Sequence, residues 1–235
     1  MIVAIHQPNY VPWCGYFAKI KHADAFIFLD DAQMPRKQSY VYRSEVCTHE
    51  GVRQWLSVPT HSAYGDPIRD VALVPNNWHV KHLKTLIGLY GRCAKFREVI
   101  EVLTPIYETP GPTLADFNIR LIFAVANYLG LQTNLYRSSD LHAQGTSDDR
   151  LISLVQIAGG KTYLSGPGGQ NYQSEEKFSL AGLALKVRQY RPIAYPQRGT
   201  CFTPGLSVLD ALFNVGKEAV HLLDYAEPLT AEPKI

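Results

Sequence analysis

An apolar run that breaks into histidine and glutamine is the first place in this chain where chemistry has room. Met1-Ile2-Val3-Ala4-Ile5 gives way to His6-Gln7-Pro8-Asn9-Tyr10. Imidazole titrates near neutrality, so His6 suits a general acid or base; alternatively it only hydrogen-bonds the turn and orders the loop. A second polar end, Asp30-Asp31-Ala32-Gln33, follows the apolar residues 25–29. One of its carboxylates can serve as a base or bind a metal, and Gln33 can stabilise an oxyanion. Adjacent strand residues point to opposite faces, so only one of the two aspartates can face a given pocket. A third polar end is Ser165-Gly166-Pro167-Gly168-Gly169, where backbone amides can approach a ligand closely. It has no Gly-Lys-Ser/Thr and is no dinucleotide fingerprint, and a plain Gly-Pro turn reads equally well.

Cations near these ends supply candidate anion contacts. Arg43, just after Tyr40 and Tyr42, suits a carboxylate or phosphate by its planar fork, whereas Arg36 and Lys37 also read as a solvated loop. Lys81 sits early in a helix, where the dipole also favours an anion, or simply in solvent. Cys14 is close in sequence to His6 but has no nucleophile signature around it, and no GxSxG elbow exists. The four cysteines, at 14, 47, 93 and 201, have no CxxC spacing and read as reduced thiols, mostly buried.

The elements that must position these residues follow from periodicity. Residues 1–5 and 25–29 read as buried strands, with a short helix over 13–22 whose apolar face is Trp13, Tyr16, Phe17 and Ile20. Strand, loop, helix, strand is a βαβ unit, for which parallel pairing is the default. Residues 54–58 and 68–74 look like strands. Helices are expected from 76, over 96–103 and over 113–129, with Asn76-Asn77 capping the first and Thr113 the last. A strand at 131–136, a helix at 147–158, strands at 162–164 and 183–190, and a helix at 208–215 complete the pattern. Ser207 with Asp210 resembles a capping box. The expected fold is α/β: a mixed or mostly parallel sheet opened by the βαβ unit and flanked by helices, with a helical segment around 76–129. One domain is expected over 1–217, and 218–235 is expected to be an extension and frayed tail.

The 235 residues suit such a domain, and the 46% hydrophobic content excludes disorder. A net charge of +2 demands neither nucleic acid nor an anionic membrane. No apolar run approaches the roughly 18 residues of a membrane span, and no signal peptide is evident, so a cytoplasmic protein acting on a small molecule is expected.

The residues also resemble a known family, the WbqC-like proteins. His6-Gln7-Pro8-Asn9-Tyr10-Val11-Pro12-Trp13, then Gly15-Tyr16-Phe17 and Lys19-Ile20, look like its signature, as do Leu29-Asp30-Asp31 and Gln33. Trp78 with Lys81-His82, Tyr163-Leu164-Ser165-Gly166, Tyr172, Tyr195 with Gln197, and Leu209-Asp210 with Phe213-Asn214 follow in the same order. The chain departs at Ser44 and Met34, where the family often has Asn and an aromatic. The resemblance implies a bacterial protein of surface-polysaccharide biosynthesis that transfers glycine or another aminoacyl group to an amino sugar. By similarity the site gathers His6, Asp30 and Gln33 as catalytic residues. Gln7, Asn9, Tyr10, Arg43, Lys81, Ser165, Gly166 and Tyr172 would bind substrate. The opening is similar, more weakly, to nucleotidyltransferases with an HxGH motif, although Trp13-Cys14-Gly15-Tyr16 stands at that place. That similarity implies an ATP-dependent amide ligase using ATP and magnesium; a non-catalytic small-ligand binder is the third reading.

Overall fold

The computed structural model describes residues 1–63, 65–169, 173–199 and 201–225. The chain opens with β1 (Ile2–His6), α1 (Cys14–Lys21) and β2 (Ala25–Phe28). A hairpin, β3 (Arg43–Cys47) with β4 (Arg53–Ser57), comes next, followed by the short pair β5 (Thr60–His61) and β6 (Ala72–Leu73). Helices α2 (Trp78–Tyr90), α3 (Phe96–Glu108) and α4 (Leu114–Tyr128) lead to β7 (Asn134–Arg137) and α5 (Ser138–Leu141). Then come α6 (Ser147–Ile157), β8 (Thr162–Ser165), α7 (Glu175–Leu180), β9 (Ala184–Val187) and α8 (Val208–Val215).

Five strands form one wholly parallel sheet in the order β7-β2-β1-β8-β9. Both faces are covered, which explains the near-continuous apolar runs: all four residues of β2 are buried. Alternate residues serve opposite layers. Ala4, Phe26, Phe28 and Leu164 face a core shared with α1, α2, α3, α4 and α8. Val3, Ile5, Ala25, Ile27 and Tyr163 face a smaller core with Leu154, Val155 and Phe178 of α6 and α7. The fold is α/β, and α2 to α4 form the expected helical segment.

The order of the strands creates the opening for a ligand. From β1 the chain builds outward through β2 and β7, then returns to β1's other side for β8 and β9. The loops after β1 and β8 therefore diverge, and a crevice forms beyond their carboxyl ends.

Several local expectations change on folding. Residues 68–74 do not form one strand: Ile68–Asp70 is a 3-10 turn and only Ala72–Leu73 pairs. Ile68, fully buried, sits with Val71 in the main core, and this packing outweighs their β-branched preference. Helix α3 continues through Pro105 to Glu108, held by the burial of Ile106 and Tyr107. Beyond residue 217 the chain is still packed: Gly216–Leu223 is a 3-10 helix that buries Ala219, Leu222 and Leu223. Ser207 does cap α8 by accepting from the Leu209 amide, but Asp210 does not complete a box. Its buried carboxylate instead accepts from Tyr90 Oη (3.0 Å), Tyr195 Oη (2.8 Å), Gln197 Nε2 (2.9 Å) and Asn214 Nδ2 (3.4 Å). Four neutral donors thus tie the irregular segment after β9 to α8 and α2.

Removing that acceptor should leave several buried donors unpaired. Asp210→Ala is expected to lower stability by about 2 kcal/mol or more, roughly 4–8 °C in Tm, with a smaller loss for Asp210→Asn, which keeps one acceptor oxygen. Thermal unfolding of the two variants checks this; equal losses would contradict it.

Candidate functional site

At the crevice between β1 and β8 lies a cavity of about 290 Å³. Its walls come from the end of β1 (His6), the start and inner face of α1 (Trp13, Gly15, Tyr16, Lys19), the turn after β8 (Gly166, Pro167, Gly168) and, beyond β9, Arg188 and Tyr190, with Tyr225 closing one side. A larger groove of about 530 Å³, beside β7 and α4, is mostly apolar and contains none of the residues that line the switch-point cavity. Ligand chemistry is better placed at the switch-point cavity.

His6 is held by its neighbours in one tautomer. Its Nδ1 lies 3.1 Å from the Gln7 carbonyl oxygen, which can only accept, so Nδ1 carries the proton and Nε2 keeps its lone pair. The ring packs edge-on against Tyr16 (4.9 Å between centroids) and Trp13 (6.1 Å). Tyr16 in turn donates to the Gln7 carbonyl at 2.9 Å. Burial, and then the Lys19 charge, hold the His6 pKa down at about 3. The residue keeps some accessible surface, because it borders the cavity.

Lys19 is the unexpected member. Helix α1 is buried from Cys14 to Ile20, so a lysine within it is enclosed too, at 8% exposure. Its Nζ donates to the Ile5 carbonyl at 3.3 Å, and among the described residues no carboxylate pairs with it. Burial lowers its pKa to about 8, so it is mostly a cation at neutral pH. Gly166 sits directly over it: a β-carbon there would lie 3.7 Å from Lys19 Cε. Arg188 brings a second cation, and among the described residues no acidic side chain lines the cavity. Gly15 is required by close approach, since a β-carbon would come within 2.5 Å of Trp13 Nε1 and 2.7 Å of the Tyr190 ring.

Most other residues expected at the site hold the loop after β1 instead of lining the cavity. Tyr10 is fully buried, and its hydroxyl meets His82 Nδ1 (2.8 Å) and Tyr107 Oη (2.6 Å). Asn9 is buried as well. Asn118, unnoticed in the sequence, donates to the carbonyls of Pro8 (2.9 Å) and Val41 (2.7 Å). Val11 has φ of +32°, a strained conformation for a β-branched residue. Its carbonyl is fixed by the hydroxyls of Ser44 (2.9 Å) and Ser207 (2.6 Å). Gln7 contributes its carbonyl to His6 and Tyr16. Ser165 is buried behind Gly166, its hydroxyl 3.3 Å from the Gly166 carbonyl.

The second strand end is not brought into the cavity. Asp30 accepts from Ser138 Oγ (3.1 Å), the Ser139 amide (3.0 Å) and Ser139 Oγ (2.9 Å), which anchors the start of α5. Asp31 accepts from Ser138 Oγ (2.6 Å) and pairs with Arg150. Both carboxylates are spent on protein donors and do not fit a magnesium site. Gln33 is exposed and bridges to Pro67, and Lys81 is exposed on α2. Arg43 lies over the Trp55 ring at 4.1 Å. Tyr172 lies outside the described residues. Cys14 is buried by α1, and burial pushes its thiol up to about 12, which leaves it protonated. Cys47 and Cys93 are buried and Cys201 is exposed, all unpaired with sulfur.

The WbqC-like protein family matches residues 7–222, a span that contains the loop pins, the Asp210 cluster and the cavity lining apart from His6 and Tyr225. This chain belongs to the WbqC-like protein family. It is also 36% identical over 227 residues to the uncharacterized protein Rv1507c of Mycobacterium tuberculosis, covering 95% of this chain and 97% of that one. No solved structure matches. The WbqC-like residues noted in the sequence divide in three dimensions. His6, Trp13, Gly15, Tyr16, Lys19 and Gly166 border the cavity, whereas Tyr195, Gln197, Asp210 and Asn214 form the polar tie behind it. Among the described residues, no helix is long and apolar enough to cross a membrane.

Two outcomes follow from this geometry. A histidine whose folded-state pKa lies below its unfolded value binds fewer protons when folded, so stability falls as pH drops. For His6 the loss begins near pH 6.5 and continues toward about 3; His82, lowered by burial to about 4, adds loss of the same sign. Urea unfolding between pH 7 and 4 should therefore show a steep decline that is shallower in His6→Gln; an unchanged slope would contradict the burial of a neutral imidazole. Gly15→Ala should fill the cavity mouth or displace Trp13 and Tyr190, visible as a change in tryptophan fluorescence and loss of ligand-induced stabilisation.

Proposed function

We propose that this chain is a cytoplasmic acyl or aminoacyl transferase that forms an amide on a small amine bearing an anionic group. A nucleotide-linked amino sugar of bacterial surface-polysaccharide or related small-molecule biosynthesis is the substrate type that fits the WbqC-like resemblance. One observation carries this reading: the switch-point cavity combines a neutral imidazole with two cations, Lys19 and Arg188, and, among the described residues, no acid. An unpaired buried ammonium is costly unless an anion joins it. A phosphate at Lys19 supplies that anion, and also removes the positive charge that helps suppress His6 as a base.

In the proposed reaction the amine nitrogen attacks the carbonyl carbon of an activated acyl donor, an ester or thioester. A C–N bond forms as the bond to the donor's oxygen or sulfur breaks. His6 Nε2 takes the proton from the attacking nitrogen and returns it to the leaving group. The Gly166–Gly168 backbone borders the same space, where developing carbonyl charge would be met by main-chain dipoles. The loop-pinning network keeps His6 in one tautomer, which is the arrangement this proton transfer needs.

A second reading, an ATP-dependent amide ligase, is favoured by one specific feature: Lys19 and Arg188 together suit a polyphosphate. The two readings separate by cofactor. The transferase turns over with an acyl donor and no nucleotide triphosphate; the ligase requires ATP and releases phosphate or pyrophosphate.

Turnover and binding with nucleotide-linked amino sugars and aminoacyl or acyl-thioester donors test the reading. His6→Gln should keep acceptor binding and lose about 10²–10⁴-fold in turnover, the usual worth of a positioned base. Lys19→Met should lose acceptor binding. In the wild type, anion affinity should weaken as pH rises above about 8, where Lys19 gives up its proton. Full turnover in His6→Gln would overturn the assignment, and binding without product for any donor would indicate a binding protein.

A further inference from the structure

A run of aromatic rings leads from the cavity onto the surface. His6 and Trp13, both lining the cavity, are 6.1 Å apart between ring centroids. Trp13 is 5.5 Å from Tyr40, and Tyr40 is 5.9 Å from Trp55. The two outer rings keep 41% and 40% of their surface exposed. Arg43 lies over the Trp55 ring at 4.1 Å, with its buried Nε without a hydrogen-bond partner.

Tyr40 and Trp55 belong to neither core, yet the backbone beneath them is firmly tied. In the β3–β4 hairpin Glu45 stands opposite Trp55, and Arg43 stands opposite Ser57, so Arg43 and Trp55 are diagonal neighbours on one face. The hairpin is joined to α8 by the Ser207 amide on the Glu45 carbonyl (2.8 Å), and Ser207 itself bridges to Trp13. Tyr40 is fixed through its carbonyl, which accepts from the Tyr10 amide at 2.9 Å. Exposed aromatic faces on a rigid backbone, continuous with a cationic cavity, are what a ring-bearing anion would stack on.

We propose that Trp13, Tyr40 and Trp55, with Arg43, form a stacking subsite for the non-reacting ring portion of a ligand whose anionic group lies at Lys19 and Arg188. The ligand class is therefore a phosphate-bearing conjugate with at least one flat ring face, either a nucleobase or a sugar ring. The inference rests on the cavity being the substrate site, and is independent of the reaction proposed there.

The test is calorimetric binding of three probes, pyrophosphate, uridine diphosphate and glucosamine 1-phosphate, to the wild type and to Trp55→Ala, Tyr40→Ala and Lys19→Met. Both aromatic positions are exposed, and circular dichroism melts verify that each variant folds. The wild type should bind at least one ring-bearing probe more tightly than pyrophosphate, and which one it prefers tells base from sugar. Trp55→Ala and Tyr40→Ala should each weaken that probe about tenfold, the typical worth of one stacking ring, and leave pyrophosphate within about twofold. Lys19→Met should weaken every probe. If pyrophosphate binds and neither aromatic variant changes ring-probe affinity, the stacking subsite is overturned while the cavity reading survives. If no probe binds the wild type, both fail. Equal loss of all three probes in a folded aromatic variant also overturns the subsite, because a stacking surface discriminates between probes with and without rings.

Discussion

A lysine ammonium enclosed in a helix that is itself enclosed, with no carboxylate beside it among the described residues, is the constraint around which this protein is arranged. Taking an ammonium out of water costs several kcal/mol unless an opposite charge accompanies it. Lys19 meets that cost only in part, through the Ile5 carbonyl and a lowered pKa. Its neighbours on the cavity wall are a neutral histidine, aromatic rings, a glycine turn and another cation. The anionic substrate proposed above would pair with Lys19 at the strand switch, where a parallel sheet opens.

The rest of the structure keeps that arrangement fixed. The loop after β1 cannot relax: Asn118 holds it from below, Tyr10 is bound into the core through His82 and Tyr107, and Ser44 and Ser207 hold the strained Val11 carbonyl. The same loop delivers Trp13 over His6. On the other side, Asp210 gathers donors from α2, α8 and the segment after β9, and Tyr190 from that segment donates to the Leu222 carbonyl at 2.8 Å. Polar residues of WbqC-like type that invite a catalytic reading therefore divide into a small set facing the cavity and a larger set holding it open. Buried polar networks of this kind favour one geometry, which is the service a substrate site needs.

The aspartate pair at the end of β2 illustrates how far a strand-end rule carries. Both residues stand outside the carboxyl end of a parallel strand, as ligand-binding groups often do, but β2 lies beside β7, with α5 starting directly above it. Helix α5 presents the Ser139 amide and the hydroxyls of Ser138 and Ser139 to Asp30, and Arg150 closes on Asp31. At β1 and β8, by contrast, successive connections run to opposite sides of the sheet, and the cavity lined by His6 and Lys19 lies there.

By itself the sequence determined the α/β frame with its opening βαβ unit, because strands buried on both faces must be short apolar runs and the helix between them must carry an apolar face. It also determined that the chain turns polar at His6 and at Ser165, and that helices capped near 77, 113 and 207 surround the sheet. It did not reveal Lys19 as a site residue, although the unbroken apolar setting of Phe17-Ala18-Lys19-Ile20 carried the signal that this lysine is enclosed. Tertiary structure alone decided which polar residues share a cavity, for a physical reason: His6, Lys19, Gly166 and Arg188 come from four segments brought together by strand order. No local pattern encodes that order. Tyr10, Asp30 and Gln33 carry the same local features, and packing partners supplied from more than 70 residues away, such as His82 for Tyr10 and Ser138 for Asp30, assign the first two to structure.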